Sequence, residues 1–480
     1  MKKKYTSLLK NIGLFTIGSL GSKIITFFLL PLYTSTLTTS EYGIVDLIQS
    51  TSQLLMPLLL LSIQDATLRF GMDPQYKKED VLSTSIKTIL RGSLILIIGL
   101  VILSYFKIIN IELNYLIFLF LIFILGSFNN CFCLYLKAKD KASVIAISGI
   151  FCTLITCLVN IILLVVFKIG ILGYMIGLVS GMLVQFIYQL FFGKIYKDFH
   201  IRRYNDLSNK MIKYSFPLIS NSLAWWVNNA SDRYILTFMS GIAANGVYAI
   251  SYKIPTILTT FQGIFYNAWS ISAISEFDSD DKDGFIGKNY MMYSFMSIIG
   301  CSLLIILNIP IAKVLYSNEY FNAWMCVPFL LVGTVFNGIS QLEGALFAAT
   351  KKTKEVAKTT IIGAIVNILF NFIFIYLFGA VGAALATMIG YCITWWLRTK
   401  SLNSFIKIKI NWKMHYFSIF ILIIQSILAT LNLFVIIQVF CLLAILILNK
   451  NILNNLKSFL FSFLKKWNNK VKKEICCIDC

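Results

Sequence analysis

Long runs of consecutive apolar residues recur along this whole chain, and they constrain its fold more than any other feature. A bilayer core of about 30 Å is crossed by about 20 residues of α-helix. Because the runs are continuous rather than alternating, they favour helices over membrane-spanning strands. The chain is 58% hydrophobic with a mean hydropathy of +0.79, outside the range of soluble globular proteins. We therefore predict an all-α polytopic membrane protein with about fourteen spans: 12–34, 43–65, 83–105, 114–136, 143–167, 171–192, 214–239, 244–273, 289–316, 321–348, 357–378, 381–397, 414–431 and 433–449.

The 42 lysine and arginine residues support this layout independently, because basic residues collect in cytoplasmic loops. With the N-terminal "MKKK" inside, nearly all of them fall on the inner side. The exceptions are Lys107, Lys168 and Lys313 outside, and Lys23, Arg233 and Lys253 within spans. We expect a multi-pass protein of the bacterial cytoplasmic membrane with both termini in the cytoplasm. The net charge of +21 is then a topology signal, so membrane lipids are expected partners and nucleic acid is not.

The residue types that usually carry catalysis or bind metals are sparse. Eight of the eleven cysteines are scattered singly through predicted spans, and three lie in the tail "ICCIDC". The only histidines, His200 and His415, are not near a cysteine, so no zinc site is indicated. The sequence also lacks a phosphate-binding loop and a nucleophile elbow. We expect no metal, no cofactor, no catalytic residue and hence no enzyme activity.

An internal repeat divides the chain into related halves. Segment 137–160, "KAKDKASVIAISGIFCTLITCLVN", aligns without gaps with segment 348–371, "AATKKTKEVAKTTIIGAIVNILFN". A glycine-rich break follows each copy, at 168–181 and 378–391. Transporters often consist of such repeated bundles. We predict an N-terminal lobe at 1–199 with spans 1 to 6, a C-terminal lobe at 200–402 with spans 7 to 12, and two further spans with a basic tail at 403–480.

Two lysines fall near the predicted middle of the bilayer. Lys23 lies about twelve residues into span 1 and Lys253 about nine into span 8, positions that approach the midplane at about 1.5 Å per residue. Charged residues at this depth normally face a protein interior or a water-filled cavity. The two lysines are therefore either cations that await an anionic substrate or members of structural ion pairs, for example with Asp65 or Glu343.

Polar stripes mark one face each of spans 2 and 7. In span 2, Asp46, Gln49 and Gln53 are spaced three and four residues apart. In span 7 the stripe consists of Asn221, Trp225, Asn228 and Asp232, with Arg233 next in sequence. Residues at these spacings share a helix face. Such stripes either line an aqueous cavity or hold helices together by hydrogen bonds, and the first interpretation places Asp232 and Arg233 near the outer mouth of a cleft.

Four segments together resemble the bacterial polysaccharide flippase family (Wzx-like), within the superfamily of multidrug and oligosaccharidyl-lipid exporters. They are "EYGIVDL" at 41–47, "SDRYILTFMSGIAANGVYAISYKI" at 231–254, "AWSISAISEF" at 268–277 and "FGAVGAALAT" at 378–387. The resemblance covers essentially the whole chain. It implies two six-helix lobes in a V-shaped, MATE-like arrangement around a cavity lined chiefly by spans 1, 2, 7 and 8.

The resemblance also implies a function. Members of that family move a lipid pyrophosphate that carries an oligosaccharide repeat unit, here undecaprenyl-linked, from the inner to the outer leaflet for surface polysaccharides such as O-antigen or capsule. Lys23 and Lys253 would hold the pyrophosphate, while Trp225, Asn228 and Tyr248 would contact sugar. The remaining candidate substrate-binding residues are Asp46, Gln49, Gln53, Asp232 and Arg233. Energy would come either from a proton or sodium gradient, with Asp46 or Glu343 as the coupling group, or from removal of the product by polymerisation outside. Polysaccharide polymerase machinery is a further expected partner.

Two other functions compete with this hypothesis. A multidrug efflux antiporter of the same superfamily would have the same fold, and the inward cations favour an anionic substrate only modestly. A membrane glycan polymerase or glycosyltransferase would need a catalytic group on a sizeable loop. The segment "FDSDDKDG" at 277–284 resembles the metal-binding carboxylate pair of some glycosyltransferases, but it lies in a short loop with no accompanying domain. A solvated acidic loop is the interpretation we favour there.

Overall fold

The computed structural model describes residue 21 and residues 23–107, 111–200, 205–275, 277–350, 352–408, 410–433 and 435–454. All regular elements within these ranges are helices. The first nine are α1 (Leu30–Thr36), α2 (Thr39–Leu59), α3 (Ile63–Gly71), α4 (Lys78–Tyr105), α5 (Leu113–Ala138), α6 (Ala142–Ile161), α7 (Ile171–Phe192), α8 (Ile195–Asp198) and α9 (Asn205–Ser240). They are followed by α10 (Ile242–Ser251), α11 (Pro255–Ser275), α12 (Phe285–Ile306), α13 (Asn308–Leu315), α14 (Val327–Ala349), α15 (Thr353–Leu402), α16 (Trp412–Thr430) and α17 (Val435–Leu448). A π-helical turn, Ile162–Val166, extends α6, and a 3-10 segment, Asn318–Met325, precedes α14.

Several of these helices can cross a bilayer. Within the described residues, eight helical segments are long and apolar enough, and the pair α2 and α3, which are bent by 62° at their junction, forms a ninth candidate. The predicted count of fourteen spans stays a prediction. One reason is that α15 counts as one of these segments although it consists of two helices that meet at a kink at Gly379, where the sequence indicated a break between two spans. A second reason is that the predicted span 8, 244–273, is interrupted between α10 and α11 at 252–254.

The chain forms two compact units. The first comprises Met1–Ile250, Ala312–Ala323 and Ile368–Ala383. The second comprises Ser251–Ile311, Trp324–Asn367 and Ala384–Cys480. The lobe boundaries at 199 and 402 that the repeat suggested stay predictions.

In the first unit, an apolar core joins α3, α4, α5 and α9. Its buried members include Ile63 on α3, Ile89 on α4, Phe123 on α5 and Met211 on α9. Lipid tails are as apolar as this core, so its stability comes from close van der Waals packing rather than from exclusion of water. At its start, α2 is fixed by a capping box, in which the Thr38 hydroxyl accepts from the Glu41 backbone N–H and the Glu41 carboxylate accepts from the Thr38 N–H. The core and the cap together set the position of α2 and α3 beside α9.

Two helical hairpins repeat the same packing. Gly170, before α7, has φ +66° and ψ −139°, and Gly379, within α15, has φ +56° and ψ −131°, both outside the usual range of L-residues. In the first hairpin, a Cβ on Gly181 would collide with Thr156; in the second, a Cβ on Gly390 would lie 2.8 Å from that of Asn367. Thr156 and Asn367 occupy equivalent positions in the aligned segments 137–160 and 348–371. The sequence repeat thus corresponds to a repeated close approach of helices.

The second unit contains a buried polar cluster around α14. The Glu343 Oε1 atom accepts from the Thr399 hydroxyl at 2.6 Å and from the Tyr290 hydroxyl at 3.1 Å. Arg398 donates to the Ser340 carbonyl and to the Thr360 hydroxyl, both at 2.8 Å. The other oxygen of Glu343 has no hydrogen-bond partner among the described residues. Glu343 is therefore held by hydroxyl donors of its own unit.

Candidate functional site

A cavity of about 600 Å³ lies inside the first unit, among α2, α3, α5 and α9. Its wall is mostly polar and aromatic. The lining residues are Ser50, Gln53, Met56 and Pro57 of α2; Ser62, Gln64 and Asp65 at the start of α3; Asn130 and Leu134 of α5; and Ser222, Trp225, Trp226, Asn229, Ala230 and Arg233 of α9. Pockets of this volume that combine aromatic groups with a few polar ones are typical of binding sites for small organic groups.

The junction between α2 and α3 shapes one side of the cavity. Leu61 and Ser62 both adopt left-handed backbone conformations, with φ of 53° and 51°. Such conformations cost a non-glycine residue about 1–3 kcal/mol and tend to occur at functional sites. They turn the chain by 62° and bring Ser62, Gln64 and Asp65 to the cavity wall. Broken helices of this kind often form the substrate sites of transporters.

Two tryptophans of α9 form the aromatic wall and have different roles. The Trp226 indole N–H donates to the Ser50 carbonyl of α2 at 2.9 Å, and its ring lies 5.3 Å from that of Tyr234. Trp226 is thus anchored. The Trp225 indole N–H has no acceptor among the described residues, and the side chain is half-buried at the cavity wall. Trp225 is therefore placed to offer both a ring face and a donor to a ligand.

An ion pair joins α2 to α9 at the end of the cavity. The Arg233 guanidinium contacts the Asp46 carboxylate and donates to the Ser50 hydroxyl at 3.2 Å. Asn245 of α10 donates to the other Asp46 oxygen at 3.3 Å. The two charged side chains are 20% and 13% exposed, so water screens the pair only partly. The positive charge of Arg233 is thereby largely compensated by Asp46.

Backbone contact reinforces the junction of α2 and α10. A Cβ on Gly43 would collide with the Ile242 carbonyl, and one on Gly246 would collide with the Thr39 carbonyl. Only glycine permits this approach, which brings Asn245 to Asp46. The motif segments at 41–47 and 231–254 are therefore in direct contact.

The structure places the predicted site residues in four environments. Gln53, Trp225 and Arg233 line the cavity, and Asp46 pairs with Arg233 beside it. Asp232, Tyr248 and Asn228 are buried outside the cavity lining; the Tyr248 hydroxyl donates to Asp232, and the Asn228 amide donates to the Ala224 carbonyl at 3.0 Å. Gln49 is half-buried and Lys23 is exposed, and neither lines the cavity. Lys253 belongs to the second unit, in the turn between α10 and α11.

The sequence reasoning missed most of the α9 wall because it chose a neighbouring face. The predicted stripe was Asn221, Trp225, Asn228 and Asp232. A stripe one residue later, Ser222, Trp226, Asn229 and Arg233, has the same spacing and lines the cavity. The available signal was Arg233 itself, since a basic residue within a span needs a partner. Gln64, which the sequence placed on the polar face of span 2, also lines the cavity, whereas Asp65 was missed as a lining residue because the break that exposes it has no glycine to mark it.

Solved structures with a similar fold are transporters. A lipid II flippase, MurJ, in an inward closed conformation has a TM-score of 0.68 at 17% identity, covering 92% of this chain and 99% of that one. An inward-facing multidrug resistance MATE family transporter has a TM-score of 0.61 at 12% identity, covering 81% of this chain and 96% of that one. A transporter of the same superfamily from Pyrococcus furiosus has a TM-score of 0.58 at 12% identity, covering 82% and 96% of the two chains. The predicted all-α, MATE-like fold class is confirmed.

Two sequence comparisons complete the assignment. An uncharacterized membrane protein of Methanocaldococcus jannaschii, MJ1068, is 25% identical over 187 residues, which are 37% of this chain and 36% of that protein. The matched region thus spans about a third of the relative's length. The model of the family described as polysaccharide biosynthesis protein matches residues 8–270, more than half of the 480 residues. The family resemblance is confirmed over residues 8–270, which contain the motif segments at 41–47 and 231–254, and this multi-pass membrane protein belongs to the family described as polysaccharide biosynthesis protein.

Proposed function

We propose that this protein moves an undecaprenyl-pyrophosphate-linked oligosaccharide repeat unit from the inner to the outer leaflet of a bacterial cytoplasmic membrane. The observation that carries the proposal is the cavity of the first unit, where two tryptophans face amide, hydroxyl and carboxylate side chains. Sugars present apolar C–H faces and a ring of hydroxyl groups, which are matched by aromatic faces and planar hydrogen-bonding groups. The family and the transporter folds support the same class of function.

The cavity is suited to the glycan head group rather than to the whole substrate. A sugar cannot cross hydrocarbon without losing its hydrogen bonds to water, at a cost of several kcal/mol for each unpaired group. Ser50, Gln53, Asn130, Ser222 and Asn229 offer replacement hydrogen bonds along the wall. The lipid tail needs no such replacement and remains in the bilayer. We propose that Trp225 packs against a sugar ring while these groups bind its hydroxyls.

The pyrophosphate needs a different site. Arg233 is the basic residue of the cavity lining, and Asp46 already compensates its charge. Lys23 and Lys253 remain our proposed pyrophosphate ligands. Lys253 sits in the turn between α10 and α11, so a change in the backbone conformation of this turn would move its ammonium group. We further propose that Glu343 or Asp46 takes part in coupling to a proton or sodium gradient, and that extracellular polymerisation consumes the product.

A second candidate function, multidrug efflux, is favoured by one observation. Asp65 presents a carboxylate to the cavity near Trp225, and such a combination also suits flat organic cations. A drug exporter would protect cells from those compounds and leave surface polysaccharide unchanged.

Deleting the gene in its native bacterium tests the two candidates. We expect the complete undecaprenyl-linked repeat unit to accumulate on the inner leaflet and the surface polymer to be lost. A normal glycan profile with new sensitivity to cationic drugs would contradict the flippase proposal and support efflux. An incomplete repeat unit would instead indicate an enzyme of glycan assembly. Restoration of the polymer by the wild-type chain, supplied on a plasmid, is the control.

A further inference from the structure

One carboxylate of the cavity has no counterion among the residues that the structure describes. Asp65 lies in the first turn of α3, lines the cavity and is exposed to it. The described ion pairs involve Asp46, Asp73, Asp198, Asp206 and Asp280, but not Asp65. Its carboxylate also accepts no hydrogen bond from a described side chain or backbone group. Asp65 therefore offers its full accepting capacity to whatever enters the cavity.

The Asp65 carboxylate determines the net charge of the cavity wall. Among the residues that the structure describes, Arg233 and Asp65 are the charged members of the lining, and Arg233 is engaged by Asp46. These three groups leave one negative charge at the wall. The positive end of the α3 dipole reduces the cost of that charge, because Asp65 sits in the first turn, but it supplies only about half an elementary charge. A ligand that brings a positive charge therefore gains most from binding here.

Hydroxyl groups and ammonium groups differ in what they do for such a carboxylate. A sugar hydroxyl donates a hydrogen bond but leaves the charge in a poorly screened environment. An ammonium group donates hydrogen bonds and also neutralises the charge. A sugar carboxylate at the same place would repel Asp65. The cavity thus distinguishes glycans by the charge of the residue that meets α3.

We propose that Asp65 is a specificity-determining residue that binds the ammonium group of an amino sugar whose nitrogen is not acylated. This inference rests on the proposed function, since it names the head group of the same transported glycan. The strained junction at Leu61 and Ser62 holds the carboxylate toward the cavity. A repeat unit with an acidic sugar at this position is excluded by the same charge.

Calorimetric titration of the full-length protein in lipid nanodiscs tests the proposal. The probes are a trisaccharide of glucosamine with free amines, its fully N-acetylated counterpart and a trisaccharide of galacturonic acid. We expect the free-amine probe to bind about tenfold to hundredfold more tightly than the acetylated probe, since hydrogen bonds to charged groups contribute about 1.5–3 kcal/mol. The acidic probe should bind more weakly than either.

The variant Asp65→Asn should remove the preference for the free amine, so that the free-amine and acetylated probes bind with affinities within about twofold of each other. The variant Asp65→Glu keeps the charge and should retain a preference for the amine. Asp73→Asn is the matched control, because Asp73 pairs with Arg69 and is absent from the cavity lining. The proposal would be overturned if the free-amine and acetylated probes bound the wild type with equal affinity, or if the free-amine probe did not bind. A preference that persists in Asp65→Asn would overturn it as well.

This outcome is independent of the test of the proposed function. If the wild-type protein does not discriminate between the probes while the deletion strain accumulates lipid-linked glycan, the role of Asp65 is rejected and the flippase proposal is kept. If discrimination depends on Asp65 but the deletion strain is drug-sensitive and has a normal glycan profile, the flippase proposal is rejected. The carboxylate is then assigned to cationic drugs, and the amino-sugar proposal is overturned.

Discussion

At the scale of single residues, the pair of Arg233 and Asp46 shows how a span accommodates charge. Each side chain is mostly buried, and each has a further polar neighbour, Ser50 or Asn245. Removal of one partner leaves an unpaired charge in a poorly screened place, whereas removal of both does not. The energy of such a pair is therefore measured by comparing single and double substitutions rather than by one substitution alone.

We predict that Asp46→Asn and Arg233→Gln each lower the apparent melting temperature, and that the double variant is more stable than the sum of the two effects implies. The physical reason is the loss of mutual neutralisation in the singles. Thermal unfolding in detergent, followed by fluorescence, measures the four proteins of this cycle. The same cycle at Arg69 and Asp73, where the arginine side chain is 58% exposed, should be additive within about 1 kcal/mol. Additivity at Arg233 and Asp46 would contradict the prediction.

Sequence reasoning identified this ion pair's members but not their pairing, and the reason is geometric. Apolar periodicity locates a polar face only to within one residue, since neighbouring positions on a helix differ by about 100°. Trp225 was therefore included and Trp226, Ser222 and Asn229 were not. Which of two adjacent stripes faces the cavity depends on how α9 packs against α2 and α5, and one sequence carries no direct record of that packing.

At the scale of elements, the junction between α2 and α3 is the feature that apolar patterning could not predict. A continuous span over 43–65 was expected, because the residues at the break, Leu61 and Ser62, are not typical helix breakers. The structure turns the chain there by 62°. The preceding Pro57 weakens the helix by removing one backbone donor, but a proline alone does not specify where the chain turns. By contrast, Gly170 and Gly379 marked both hairpin breaks in the sequence.

We predict opposite effects of glycine at two buried serines. At Ser62, with φ 51°, glycine should raise the melting temperature or leave it unchanged, while valine should lower it, because β-branched side chains strongly disfavour this conformation. At Ser93, inside α4, glycine should lower the melting temperature, because in a helix interior glycine is less favourable than serine by a few tenths of a kcal/mol. Both hydroxyls lack hydrogen-bond partners among the described residues, so the serines are matched. A destabilising Ser62→Gly would mean that the junction is not strained.

The crossing of α2 and α10 yields a further prediction. Gly246→Ala places a methyl group against the Thr39 carbonyl, which forces the two helices apart and disturbs Asn245 beside Asp46. We expect a clearly lower melting temperature and reduced transport. Gly99→Ala on α4 is the control, since a Cβ there meets nothing within 4 Å, and alanine should stabilise the helix by up to about 1 kcal/mol. A Gly246→Ala variant as stable as Gly99→Ala would show that the helices are not in backbone contact.

At the scale of the whole molecule, hydropathy and charge determined the class of protein before any site was known. Length and apolarity of the runs suffice for an all-helical membrane protein, because the bilayer allows few alternatives. The number of spans is harder to predict, since it depends on short breaks such as those at Gly379 and at 252–254. Substrate identity is harder still, because it depends on a few side chains of the cavity wall rather than on overall composition.

Orientation in the membrane decides from which side a substrate is loaded, and single introduced cysteines allow a direct test. Lys107 and Lys168 are predicted to lie outside and Lys352 inside. We predict that Lys168→Cys and Lys107→Cys each react with a membrane-impermeant maleimide polymer in intact cells, seen as a shift in gel mobility. Lys352→Cys should gain a shift over the wild type only after the cells are permeabilised. Seven of the eight described native cysteines lie within helices, and Cys326 is buried in the turn before α14. The three in the tail are predicted to be cytoplasmic, so wild-type cells should show no shift while intact. The reverse pattern would contradict the topology that the basic residues predict and would place both termini outside. The flippase that we propose would then have to load its substrate from the opposite leaflet.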